Sequence, residues 1–149
     1  MSKNDSNIEH TLMFDGGSRG NPGICGSGFV LYKNNEIIAE ESSLVSDNNT
    51  NNFAEYMALI LGLTKAKILN VKYLNVKGDS QLVINQVTGK YKVNSDNLKP
   101  LHKKAVELIN AFDVVLFEHI KRNLNKYDDK LANNAMDSYT SITIYTCCE

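Results

Sequence analysis

Four carboxylates in this chain sit where solvation alone explains an acidic side chain poorly: Asp15, Glu55, Asp79 and Asp129. Asp15 closes a short apolar run, TLMF from Thr11, and precedes two glycines. Glu55 falls in the first turns of a helical pattern, and its i+4, i+7 and i+11 neighbours are Leu59, Gly62 and Ala66. That apolar stripe puts the carboxylate on the side of the helix expected to face a sheet. Asp79 follows Leu74 and Val76 and immediately precedes a second helical pattern, while Asp129 lies in the last one, before Leu131 and Ala132. Each has a plain structural alternative. Asp15 suits a turn before Gly-Gly, Glu55 a capping box with Asn52 as N-cap, Asp79 an N-cap, and Asp129 a solvated surface. If neighbouring strand ends converge, however, Asp15 and Asp79 emerge side by side and two helices bring Glu55 and Asp129 to the same point. Clustered carboxylates repel and raise one another's pKa, so the cluster requires cations. Hard oxygen ligands with room for water suit Mg2+ or Mn2+.

The elements that would position these groups follow from periodicity. TLMF from Thr11, ICGSGFVLYKN from Ile24 and EIIAEESSLV from Glu36 read as strands, with a tight turn at Asn34-Asn35. Their short connections imply antiparallel hairpins. From Thr50 the period becomes helical through Ala54, Met57, Ala58, Leu61 and Ala66. YLNVKGD from Tyr73 is a strand, and QLVINQVTG from Gln81 is a short helix stopped by Gly89. Ser95 to Ala111 is a helical candidate whose start Pro100 limits. DVVLFEHI from Asp113 is a fifth strand, and a last helix spans about Lys126 to Asp137. Hairpins favour antiparallel pairing and intervening helices favour parallel pairing. The expected fold is therefore α/β, in the α+β mixed sense: a five-stranded mixed sheet with helices on both faces.

Size and composition are those of one ordinary domain. The chain has 149 residues, 42% hydrophobic and 22% charged, enough to bury a core without disulfides or a structural metal. We expect a single domain over 1–149, with its core at about 11–138 and extensions at 1–10 and 139–149. No apolar run reaches the length of a membrane span, and MSKNDSNIEH lacks the apolar stretch of a signal peptide. An intracellular, cytoplasmic protein is the expectation. Cys25, Cys147 and Cys148 form no CxxC pair, which argues for reduced thiols and against zinc. The formal net charge is −1, without the basic excess usual in nucleic-acid binders; catalytic carboxylates would themselves lower the total.

Four blocks carry a resemblance: FDGGSRGNPG from Phe14, NTNNFAEYMAL from Asn49, KGDSQLVINQVTG from Lys77 and RNLNKYDDKLAN from Arg122. Their order and spacing resemble the signature blocks of the type I ribonuclease H family, over roughly Thr11 to Asp137. The resemblance implies the ribonuclease H-like fold, and an endonuclease that hydrolyses the RNA strand of RNA–DNA hybrids, leaving 3′-hydroxyl and 5′-phosphate ends. It implies that Asp15, Glu55, Asp79 and Asp129 are the catalytic carboxylates and hold two Mg2+ or Mn2+ ions per active site, Asp129 being the most forgiving. Asn51 and Asn52 match the asparagine pair that faces the hybrid's minor groove, where only RNA presents a 2′-hydroxyl. Asn21 and Ser18 match further groove contacts, and the backbone at Gly16 and Gly17 lacks the Cβ that would block close approach. Thr50, Arg19 and Asn85 are candidates for phosphate contacts. The local alternatives are a turn at Asn21-Pro22-Gly23 and helix-start chemistry at Thr50-Asn51-Asn52. No protein partner is implied, and a monomer is expected.

The chain also departs from common family patterns. It has no tryptophan, so it lacks the basic, tryptophan-bearing helix of many bacterial members. Lys90, Lys92, Lys99, Lys103 and Lys104, with Tyr91, offer a smaller basic surface or a solvated lysine face. The connection from Ile120 to Asn125 is too short for the family's histidine loop and resembles the shorter Arg-x-x-Asn form; His119 is expected as a packed strand residue. The glycine-rich opening is not a nucleotide loop: it lacks Gly-Lys-Ser/Thr and a strand, not a helix, follows it. A silent hybrid-binding module and a related metal nuclease acting on DNA are the alternatives. The first would have no need of four metal ligands, and the asparagine pair favours RNA over the second.

Overall fold

The computed structural model describes residues 8–121 and 130–136. Its first three strands form a meander: β1 (His10–Arg19), β2 (Gly23–Lys33) and β3 (Glu36–Asn49). Asn34 and Asn35 turn β2 into β3 with φ of 50° and 70°, the two positive angles that a two-residue hairpin matched to strand twist requires. Helix α1 (Asn51–Ile68) then leads to β4 (Tyr73–Gly78), and α2 (Gln81–Val87) and α3 (Lys99–Ile109) precede β5 (Val114–His119). Residues 130–136 are helical again, inside the expected last helix. The SITIYTCCE tail and Asp129 lie outside the described residues. Among the described residues, no helix is long and apolar enough to cross a membrane.

The sheet order is β3-β2-β1-β4-β5. β1 pairs antiparallel with β2 and parallel with β4, and β4 pairs parallel with β5, as the mixed reading expects. Leu12, Phe14, Phe29, Leu31, Leu74 and Val76 form one core with Tyr56, Leu59 and Leu63 of α1. These strand residues share a parity, so one face of the sheet is apolar and α1 covers it. Burying each such side chain contributes about 1.5–3 kcal/mol. The opposite face receives residues 130–136: a Cβ on Gly26 of β2 would lie 2.2 Å from the Ala132 carbonyl oxygen. Helices thus pack on both faces.

One helix boundary is refined and one holds. Helix α3 begins at Lys99 rather than Ser95, with Pro100 in its first turn, where a missing N–H costs nothing. Gly89, at φ 86°, follows α2 and its C-cap Thr88, as the stop signal anticipated.

Candidate active site

β1 is longer than its apolar run. It continues through Arg19, paired with β2 up to the Arg19–Ile24 rung, whereas its parallel pairing with β4 ends at Phe14–Gly78. Asp15 is therefore a mid-strand residue and neither ends the strand nor sits in a turn. It flanks the place where β4 leaves the sheet. Strand parity aims Asp15 away from the α1 face, and the gap beyond Gly78 lets groups from both sides meet. Glu55 reaches the gap from α1, and its Oε1 accepts a hydrogen bond of 2.5 Å from the Gly16 N–H. Asp79 reaches it as the first residue beyond β4. A carboxylate oxygen from each of Asp15, Glu55 and Asp79 lies within 4.8 Å of the other two.

The capping alternatives for these acids fail. Thr50, not Asn52, is the N-cap of α1, and its hydroxyl accepts the Phe53 N–H at 3.2 Å. Ser80, not Asp79, is the N-cap of α2, accepting the Val83 N–H at 3.3 Å. Hydroxyl residues take both caps, which leaves Glu55 and Asp79 to the gap. Glu55 is only 5% exposed. Burial first, then the Asp79 charge, push its carboxyl up to about 8 against the hydrogen bond from Gly16, which favours the ionised form. A buried acid beside a second one is an arrangement that a bound cation would relieve. The donor set of hard oxygens from three separate elements fits a divalent ion such as Mg2+ or Mn2+.

Gly16 holds α1 against the strand. A Cβ there would lie 2.2 Å from the Ala54 carbonyl carbon and oxygen and 2.5 Å from the Glu55 nitrogen. The missing side chain thus serves the helix that carries Glu55, in addition to any close approach of a ligand. Ser27 adds a second tether on the same side, donating to the Ala54 carbonyl at 2.7 Å.

The three acids line a groove of about 710 Å³. Gly16, Gly17, Ser18, Arg19 and Asn51 line it too, so the first block and the start of α1 supply one wall. Asn21, Thr50, Asn52 and Asn85 lie outside that lining. Asn21 and Asn51 brace this wall: Asn21 Oδ1 accepts the Asn51 N–H at 3.1 Å, and Asn51 Oδ1 accepts the Ser18 N–H at 3.3 Å. Asn52 is half-buried in the first turn of α1 and Asn85 half-buried in α2. Lys90, Tyr91, Lys92, Lys99, Lys103 and Lys104 are all exposed. Asp129, on which the fourth ligand position depends, lies outside the described residues, although Ala132, Asn133 and Met136 of the following helical turns line the groove.

Sequence reasoning missed His119 and Lys121, which line the opposite wall. His119 is not a packed strand histidine: it is exposed, and its Nε2 lies 3.1 Å from the Asp79 carbonyl oxygen. The usable signal was topological. Parallel β4 and β5 end together, so residues just after either strand emerge at the same site.

The sequence model of the family described as "Reverse transcriptase-like" matches residues 13–135. The chain is 40% identical over 124 residues to "Ribonuclease HI" of Halobacterium salinarum, across 83% of this chain and 62% of that protein. Among solved structures it is similar to the N-terminal RNase H domain of Rv2228c from Mycobacterium tuberculosis, determined as a maltose-binding-protein fusion. There the TM-score is 0.86 and the identity 37%, over 91% of this chain and 99% of that one. It is also similar to LC11-RNase H1 in complex with an RNA/DNA hybrid, with a TM-score of 0.83 and 32% identity over 88% and 99% of the two chains. The chain spans about a third, 34%, of the length of the mycobacterial curated relatives it matches.

Proposed function

The chain belongs to the type I ribonuclease H family, and from that premise we propose that it hydrolyses the RNA strand of RNA–DNA hybrids as a metal-dependent endonuclease. The observation that carries this reading is the meeting of Asp15, Glu55 and Asp79 within 4.8 Å at the floor of an open groove. These residues, joined by Asp129 as the resemblance implies, would hold two divalent ions, Mg2+ or Mn2+. Bound there, such ions supply a water of lowered pKa and charge stabilisation for the leaving ribose oxygen. The products are a 3′-hydroxyl and a 5′-phosphate.

The chain's own groups orient and select. The Gly16 N–H fixes one oxygen of Glu55, so the carboxylate is aimed before any ion arrives. Asn51 stands on the groove wall, with Asn52 beside it. An amide offers donors and an acceptor, suited to a ribose 2′-hydroxyl that does both. Ser18 and Asn21 extend that wall, and Arg19 stands where it can meet a phosphate. Thr50 and Asn85 are assigned to phosphate on the resemblance. The exposed lysines from Lys90 to Lys104 offer the hybrid a modest positive surface whose contribution falls with salt. A monomer acting in the cytoplasm is part of the same reading.

One assay tests it: labelled hybrid, RNA duplex and DNA duplex, each incubated with the protein in Mg2+, Mn2+ or EDTA. Cleavage confined to the RNA of the hybrid, and abolished by EDTA, is expected. Binding without cleavage would instead make the chain a silent hybrid-binding module, and cleavage of the DNA duplex would make it a DNA nuclease.

A further inference from the structure

We propose that His119 is a positioning residue that holds Asp79 in the metal-ligand cluster by clamping its backbone carbonyl. The inference rests on the reading of the acidic cluster as a metal centre and assigns a role to a side chain on the groove's other wall.

The β4–β5 ladder ends at the Gly78–His119 rung, and the Ile120 N–H donates to the Gly78 carbonyl at 2.9 Å. One residue later the chain leaves the sheet, and Ser80 already caps α2. The Asp79 carbonyl falls between the last ladder bond and the first helical one, in the short link that aims its carboxylate. The His119 Nε2 stands 3.1 Å from that carbonyl oxygen. A carbonyl only accepts, so Nε2 carries the proton and donates. β5 thereby grips two successive carbonyls at the exit of β4: that of Gly78 through its backbone and that of Asp79 through an imidazole.

The core does not demand this ring. His119 is exposed, as is its neighbour Glu118, and both His119 and Asp79 line the groove. The cluster does demand a clamp. Asp79 must hold a carboxylate oxygen within 4.8 Å of those of Asp15 and Glu55, and a carboxylate on an unrestrained link would swing towards water until an ion drew it back. Fixing the link keeps the ligand in place beforehand, as hydrogen-bonded outer groups do at other metal centres.

The test measures Mn2+ binding calorimetrically in the absence of nucleic acid, together with hybrid cleavage and thermal melting in EDTA. His119→Ala should weaken Mn2+ binding about tenfold and raise the Mn2+ concentration for half-maximal cleavage by a similar factor, with KM for the hybrid unchanged. His119→Leu, which keeps bulk without a donor, should match it. His119→Gln, whose amide can donate to the same carbonyl, should recover most of the affinity. Wild-type Mn2+ affinity in both His119→Ala and His119→Leu overturns the clamp, as does a loss confined to melting temperature or to hybrid KM. Failure of the wild-type protein to bind Mn2+ or cut hybrid overturns the metal-centre reading itself, a result distinct from a clamp that makes no difference.

Discussion

Replacing Glu55 with Gln removes the charge that the metal-free fold tolerates worst. Glu55 ionises near its ordinary value of 4.5 in the unfolded chain but near 8 in the folded one. Between those values the folded protein holds a proton that the unfolded chain has released. The stability associated with that proton is fully present below about pH 4.5, declines as pH rises, and is lost above about pH 8. The slope approaches about 1.4 kcal/mol per pH unit inside the window, about 5 kcal/mol across it. In a chain of this size that is roughly 15 °C of melting temperature. Glu55→Gln cannot ionise, and its amide oxygen can still accept the Gly16 N–H. Thermal melts in EDTA from pH 5 to 9 should therefore show the wild type falling more steeply than Glu55→Gln and lying well below it by pH 8. Adding Mg2+ or Mn2+ at pH 8 should raise the wild type and leave the variant nearly unmoved. Parallel pH profiles of the two proteins in EDTA would refute the reasoning, since they would mean that Glu55 is not the buried titrating acid.

Three further outcomes are expected. Asp15→Asn and Asp79→Asn should each abolish hybrid cleavage while the far-ultraviolet circular dichroism and cooperative melting persist; substantial turnover in either would remove it from the metal site. Gly16→Ala should destabilise the protein by about 3 kcal/mol, the upper end for overpacking, because the new methyl meets the α1 backbone at 2.2 Å; an unchanged denaturant midpoint would contradict that packing. Asn51→Ala with Asn52→Ala should weaken hybrid binding more than it lowers melting temperature, whereas Thr50→Ala should cost about 1 kcal/mol of stability as a lost cap. Comparison of hybrid affinity and melts across the two variants decides between substrate contact and capping for the asparagine pair.

Particular residues explain how far the sequence could be read. The hairpin register is legible because Asn34-Asn35 admits the positive φ that the turn needs, and α1 is legible because its apolar stripe repeats for several turns. The same stripe correctly turned Glu55 inward, where it is buried. The end of β1 was misplaced because DGGSR carries no apolar alternation; only its pairing with β2 keeps it extended. Both cap assignments shifted to a hydroxyl neighbour, Thr50 for Asn52 and Ser80 for Asp79, since adjacent polar residues offer the helix near-equal caps. His119 was misread for a different reason. Its neighbour Asp79 is 40 positions away, and only the parallel register of β4 and β5 brings the two together.

The most direct test of the account is a crystal of the protein soaked in Mn2+, measured at a wavelength where manganese scatters anomalously. We predict an anomalous peak between the carboxylates of Asp15, Glu55 and Asp79, with oxygen ligands at about 2.0–2.4 Å. Full-occupancy manganese bound elsewhere, with those three side chains free of it, would contradict the account.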